Sequence, residues 1–399
     1  MAMRYASLSR SMSVLSKSIH HRQQYITKET HQTQQRTISS LLHNRIINNT
    51  PGFKTPQLRK DIDYAISQVR EYDPAGFLPG FLLPSDGRTG YFAVRAFWVE
   101  TGLRLAPLTP SSERSGRQTF ASATVTPEER VKFWRQGIHA LYNTATTGNQ
   151  KDEHDDPDWQ LIQSHPILRL LKFTLDRHDL SKNHFLQVLD GRQRDINVKQ
   201  YLCMDSFIQH SQQSCGNLLN LTLECLGIHS GGNDTESSFR NPHVINSAAH
   251  EAALQIGICH GLTNGLRTAI PVVSNTGKII IPQELCHKYD VRSPRFLLSA
   301  LGQGDKKCRE AFQMAVKDIV LVAREYLEQA RQKKQTILEQ PDGERAVMAL
   351  LPGLTAETFL NRLELHEYNL SSKDLRQIGP LEHFLCASRV IRASRNNTF

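Results

Sequence analysis

Residues 248–266 read AAHEAALQIGICHGLTNGL, and three glycines in that string, Gly257, Gly261 and Gly265, recur every fourth residue. On an α-helix that spacing puts them on one face. A glycine inside a helix costs roughly 0.5–1 kcal/mol relative to alanine, so three on one face call for a compensation. Two compensations are open: a neighbouring helix that approaches closely along the stripe, or room left for a ligand. Under either one, the stretch reads as a helix packed among helices.

Working outward, nearly every strong pattern is helical. Residues 58–72 predict a charged helix, stopped by Asp73-Pro74 because the residue before proline disfavours helical backbone. Residues 77–84 read as a turn punctuated by Pro and Gly, and 88–105 as a helix. The Ser/Thr/Pro-rich run 107–126 reads as a loop. Thr126-Pro127-Glu128-Glu129 combines an N-cap, a first-turn proline and first-turn acids, the signature of a helix start; that helix runs toward Tyr142. A polar loop over 143–158 precedes two short helices, 165–178 and 180–189. Residues 198–226 predict one long helix, with Ile208, Cys215, Leu219 and Leu226 recurring on one side. After a loop over 227–242 come the glycine-striped helix, a β-like run at 278–282 too short for a sheet, a helix lined by Phe312, Val316, Ile319, Ala323, Tyr326 and Ala330, and another over 352–368. No repeat and no strand series emerges. The fold class expected is all-α, a single helical domain over residues 51–399.

The first fifty residues differ in kind. Arg4, Arg10, Lys17, Arg22, Lys28, Arg36 and Arg45 stand against one acid, Glu29. Of the net charge of +9, only about +3 therefore belongs to the rest of the chain. A surplus that small over a domain this large lacks the basic footprint of nucleic-acid binding. Met1, Tyr5, Leu8, Met12, Leu15 and Ile19 form an apolar stripe at alternating spacings of four and three, with Arg4, Arg10 and Lys17 off it. An acid-poor amphipathic segment of this kind reads as a mitochondrial presequence with a disordered lead-in, residues 1–50. No run approaches the ~20 apolar residues of a membrane span. The seven cysteines show no CxxC pair and no zinc spacing, and read as reduced thiols, mostly buried.

Three segments carry a family resemblance. The first runs from Phe81-Leu82-Leu83-Pro84 through Arg88 to Ala93-Val94-Arg95-Ala96-Phe97. The second is Leu189-Asp190-Gly191-Arg192-Gln193-Arg194-Asp195-Ile196, followed by Tyr201 and a helix ending at Leu226-Gly227. The third joins Gly257-Ile258 and Leu262-Thr263-Asn264-Gly265-Leu266-Arg267 to Gly277-Lys278-Ile279-Ile280-Ile281-Pro282. In that order and spacing, over about residues 60–370, they resemble the squalene/phytoene synthase family of the isoprenoid synthase fold. The resemblance implies two DxxxD motifs whose carboxylates hold Mg²⁺ and a diphosphate, since a hard cation needs clustered oxygens. The expected positions carry Gly102 and Ala106 in the first and Thr268 and Val272 in the second, with Glu100 the carboxylate nearest the first. From Gly257 to Gln283 there is no Asp or Glu. Prenyl transfer by the family's chemistry is therefore not expected, and neither a cofactor nor a resident metal is.

The chain looks similar to a mitochondrial branch of the family that lacks these aspartates and assembles respiratory complex I. That resemblance implies a matrix protein peripheral to the inner membrane, with complex I subunits or assembly intermediates as partners and no catalytic residue. Arg95, Glu100, Arg192, Arg194, Asp195, Asn264 and Arg267 are placed by it at a vestigial cavity. They serve there as a buried ion-pair network, or as a grip on an isoprenoid or anionic lipid, because arginine binds phosphate without a metal. Alternatives within the same fold are a lipid- or isoprenoid-binding protein and a residual farnesyl or geranylgeranyl diphosphate transferase. His250-Glu251 with His260 lacks HExxH spacing, and His165 and His178 read as helix-end residues.

Overall fold

The computed structural model describes residues 55–102, 126–146, 156–231, 244–291, 306–372, 375 and 380–399. The presequence expected over 1–50, Ala106 and nearly all of the 107–126 loop lie outside them. Helices carry the structure: α1 (Pro56–Tyr72), α2 (Pro74–Leu82), α3 (Ser85–Gly102), α4 (Pro127–Thr146), α5 (Pro157–Ser164), α6 (Pro166–Leu175) and α7 (Lys182–Asn197) in the first half. Then follow α8 (Met204–Ser211), a π-helical turn (Gln212–Gly216), α9 (Asn217–Glu224), α10 (Ser247–Thr276) and α11 (Gln283–Lys288). The chain ends with α12 (Lys306–Gln332), α13 (Lys334–Glu339), α14 (Gly343–Ala349), α15 (Pro352–Leu365) and α16 (Pro380–Arg395). The expected all-α class holds.

Two helices organise the packing. Tyr91, Phe92, Ala93, Val94, Ala96 and Phe97 of α3 are all buried, so this helix is apolar nearly all round and sits in the core. It packs against α1, α6 and α9, while α10 packs against α8, the π turn, α12 and α15. Phe97 meets Trp134 and Phe185 edge to face at 5.3 and 5.2 Å, joining α3 to α4 and α7. Arg169 places Nε and Nη2 on the two oxygens of buried Asp61, at 2.8 and 2.7 Å, and so ties α6 to α1.

Local chemistry sets the boundaries. The reading of Thr126 as a cap is met by a reciprocal capping box: the Glu129 amide donates to Thr126 Oγ1 at 3.2 Å, and the Thr126 amide donates to Glu129 Oε2 at 2.8 Å. His165 caps α6, its Nδ1 accepting from the Ile167 amide. Several expectations are corrected. Residues 77–82 are helix and only 83–84 form the break before α3: Asp73 ends α1 and caps α2, with Pro74 at the first helical position, where a missing N–H is harmless. The second short helix runs on to Asn197 instead of ending at 189. The expected long helix 198–226 begins only at Met204, because 198–203 instead meets the β-like run, Gln200 bridging Ile279. It is further interrupted by the π turn. The glycine-striped helix extends past Leu266 and through Pro271 to Thr276, closed by Gly277 in the left-handed conformation, φ 72°. On α12, Leu327 is buried where Tyr326 was expected to be. A two-residue parallel pairing, Ile228–His229 with Val244–Ile245, was not foreseen.

Candidate functional site

The glycine stripe serves close packing. A Cβ on Gly257 would lie 2.3 Å from the Gly216 Cα, one on Gly261 2.5 Å from Ser211 Cβ, and one on Gly265 2.4 Å from Phe207. The face of α10 that carries them is pressed onto α8 and the π turn. Ligand space, the other open reading, is not what these three glycines provide.

The polar residues fall into two clusters. In the first, Arg95 projects from the apolar helix α3 with 0% exposure. Its Nη1 donates to Asp73 Oδ2 at 2.7 Å, and the guanidinium lies over Gly76, where a Cβ would come within 2.6 Å of Nη1. Asp73 also accepts from the Gly76 amide, and the Tyr91 hydroxyl donates to the Gly76 carbonyl at 2.5 Å. Arg95 Nε and Nη2 have no hydrogen-bond partner. Nearby His260, 1% exposed, has none at either ring nitrogen. Burial and the charges of Arg95 and Arg267 push its pKa far down, so the ring is neutral. Arg267 is exposed on α10, with Nη1 donating to Asn264 Oδ1 at 3.0 Å and the guanidinium 4.8 Å from the Phe359 ring centroid. Desolvation lowers its pKa and the nearby Arg362 charge adds to that, while Asp73 opposes it.

The second cluster centres on α7. Arg192 stacks 5.0 Å from the Trp98 ring centroid and stands over Gly102, where a Cβ would fall 2.4 Å from its Nη2. The space a side chain at 102 would use is taken by a guanidinium. Asp195 accepts from Lys278 Nζ and from the Tyr201 hydroxyl, the latter at 2.9 Å, with His210 Nε2 3.6 Å away. Burial alone would raise its pKa, but His210, Lys278 and Arg192 hold it below the usual value. Burial brings His210 down to about 4, Asp195 opposing that shift and the Arg192 and Lys278 charges adding to it. Arg194 is exposed and bonds Gln213.

Of the residues singled out in the sequence, Arg192 and Asp195 share the second cluster, with Arg194 at its rim, and Arg95, Asn264 and Arg267 surround the first. Glu100 joins neither. It faces away, accepting from the Tyr64 hydroxyl at 2.6 Å and meeting His165 Nε2 at 3.2 Å. Thr268 is exposed, its hydroxyl donating to the Asn264 carbonyl at 2.8 Å, and Val272 is half-buried. Asp73, Tyr201, His260 and Lys278 escaped the sequence reading as site residues. Tyr201 and Lys278 lay inside the quoted motifs, so their positions, though not their contacts, were visible.

These donors do not fit the Mg²⁺–diphosphate arrangement that the fold family uses. A guanidinium fills the space beside Gly102, Thr268 offers a hydroxyl already committed to backbone, and Asp195 is held by Lys278 and Tyr201. Among the described residues no group of three His, Cys, Asp or Glu side chains could hold a metal. The arrangement suits holding anions or holding helices.

A bundle of helices around α3 and α10, with polar groups at its centre, is the architecture of isoprenoid synthases. Solved structures with this fold include a dehydrosqualene synthase bound to a ligand, with TM-score 0.58 and 14% identity over 85% of this chain and 98% of that one. Another is a squalene synthase from Alicyclobacillus acidocaldarius, with TM-score 0.54 and 14% identity over 79% and 97%. The squalene/phytoene synthase family model matches residues 69–380, and the chain belongs to that family. Within it, the chain is 26% identical over 318 residues, 80% of its length, to "NADH dehydrogenase (ubiquinone) complex I, assembly factor 6" of Homo sapiens, covering 78% of that protein. The homologues of that factor in Dictyostelium discoideum and Drosophila melanogaster are 25% and 24% identical, over 80% and 78% of this chain and 75% and 77% of their own lengths.

Proposed function

We propose that this chain is a non-catalytic mitochondrial assembly factor for respiratory complex I, using a synthase fold as a scaffold. The observation that supports the reading is the Arg192 guanidinium over Gly102, a position where the resemblance leads one to expect a carboxylate. The names of its relatives supply the client. Residues 1–50 act as the import signal and 51–399 as the helical domain, in the matrix and peripheral to the inner membrane. No helix among the described residues is long and apolar enough to cross a membrane, which accords with peripheral contact.

Deleting the gene and resolving respiratory complexes on native gels should show complex I depleted with complexes III and IV retained. A chain lacking residues 1–50 should fail to restore it. Normal complex I in the deletion strain, or an equal fall in all complexes, would overturn the assignment.

The purified protein should also be silent as a synthase. With farnesyl or geranylgeranyl diphosphate and Mg²⁺, product formation should not exceed that of a heat-denatured control. Turnover abolished by chelation would refute the non-catalytic reading.

A further inference from the structure

We propose that the exposed face of α12 is a docking surface for a second copy of this chain, the two α12 helices packing antiparallel about a two-fold axis near residues 317 and 318. The inference goes beyond the assembly reading and is tested without reference to complex I.

The face is apolar at its middle. Met314 and Leu321, seven residues apart, fall on one side of α12. Met314 is 44% and Leu321 53% exposed, whereas Phe312, Ala315, Val316, Ile319, Val320 and Ala323 are buried on the other side. A third apolar side chain flanks them. Arg324 Nη2 donates to Glu364 Oε2 at 2.7 Å, and Lys317 Nζ lies 5.9 Å from the Tyr368 ring centroid. The segment 364–368 therefore runs alongside residues 324 to 317 and carries Leu365, 81% exposed, to the flank of Leu321. On the opposite flank Asp318 accepts from Lys288 Nζ and from the Tyr289 hydroxyl, both at 2.8 Å. Half of the six exposed large hydrophobic side chains among the described residues thus share this surface. A lone exposed leucine needs no explanation, but a group of them marks a contact surface.

The order of the charges selects the occupant. The first turn of α12 carries Lys306, Lys307 and Arg309 and no acid, against the preference at the positive end of a helix dipole. The first acid after them, Glu310, is paired with Lys306 at 3.7 Å. Toward the far end of the same face stand Glu325 and Glu328, both exposed. Arg331 beyond them is engaged by both oxygens of Glu357. A face basic at one end, acidic at the other and apolar between complements itself when reversed. Antiparallel packing sets Met314 of each copy at the level of Leu321 of the other, and Lys306 near the level of Glu328. Parallel packing would set like charges together. A helix of 27 residues is about 40 Å long. With half of each flanking helix it offers a strip on the order of 800 Å², about what each partner of a stable interface buries.

The experiment follows the mass of the full chain by sedimentation equilibrium over a concentration series, at low and high salt. A reversible monomer–dimer equilibrium is expected, weaker at high salt because its ends are charged. Leu321→Glu should weaken the dimer about a hundredfold, since the lost apolar contact occurs twice. Lys306→Glu and Glu328→Lys should each weaken it about tenfold. Mixed in equal amounts, those two charge variants should associate with one another about as tightly as the wild type, because each supplies the charge that the other now needs. All variants should melt with the wild type, these side chains being exposed. A monomer at every concentration overturns the proposal, as does a dimer indifferent to Leu321→Glu. A mixture of the charge variants that associates no better than either one alone overturns the antiparallel arrangement and the proposal with it.

Discussion

Asp73→Ala should destabilise this protein strongly, by about 4–6 kcal/mol. Asp73 caps α2 by accepting from the Gly76 amide, and it pairs with Arg95, whose side chain is wholly buried. Removing the carboxylate leaves a guanidinium with no acidic partner where water does not reach. Breaking such a pair costs about 3–5 kcal/mol, and losing the cap adds ~1 kcal/mol. Urea unfolding followed by circular dichroism reads the loss directly. The double variant Asp73→Asn with Arg95→Met should recover part of it, because an apolar replacement needs no counter-charge. A loss below about 1 kcal/mol for Asp73→Ala would mean that the ion pair is not what fixes α2 against α3.

Gly257→Leu is expected to be damaging for a different reason. Its Cβ would fall 2.3 Å from the Gly216 Cα, and the obstacle is backbone, which cannot swing aside. Overpacking of this kind typically costs 1–3 kcal/mol, and a backbone clash belongs at about the top of that range or above. Melting temperature should fall by about 3–5 °C, and complex I abundance should fall with protein level in cells. Gly261→Leu should behave similarly, since its Cβ meets the Ser211 Cβ at 2.5 Å. Thr268→Asp, exposed on α10, should cost far less. Gly191→Ala is the opposing control. Its Cβ would have only the Gln213 Cβ at 3.7 Å and the Ser214 amide nitrogen at 4.0 Å within reach, so it should stabilise α7 by about 0.5–1 kcal/mol. Equal melting of the Gly257 variant and the wild type would remove the close-packing account of the stripe.

How much of this could be read from residues alone depends on how local each cause is. The Thr126–Glu129 cap and the amphipathic spacing of α12 are local, and both are present as expected. Asp73-Pro74 misled because the same dipeptide ends one helix and begins the next; only the burial of Phe81 and Gly80 against α3 shows which way the following residues go. Residues 198–203 have helical periodicity, yet Gln200 is claimed by Ile279, nearly eighty positions on. The candidate site divides the same way. Arg192 and Asp195 stood out because a motif carried them, whereas Glu100 was drawn in by its nearness along the chain to Gly102 and in fact faces Tyr64 and His165. His260 drew notice only beside His250-Glu251, because a histidine on an apolar helix says nothing about whether its nitrogens are satisfied.

The π turn at Gln212–Gly216 adds in effect one residue to a helix that would otherwise run straight from α8 into α9. One extra residue advances the helical phase by about 100°, so α8 and α9 present faces that no single helical wheel describes. Upstream, Ser211 faces Gly261; downstream, Glu224 turns toward the Ser181 amide and His184. Aligning this chain with a relative that lacks the extra residue would therefore pair side chains from different faces after position 216, even where the letters match. Correspondences carried across that point need a one-residue gap placed inside the turn.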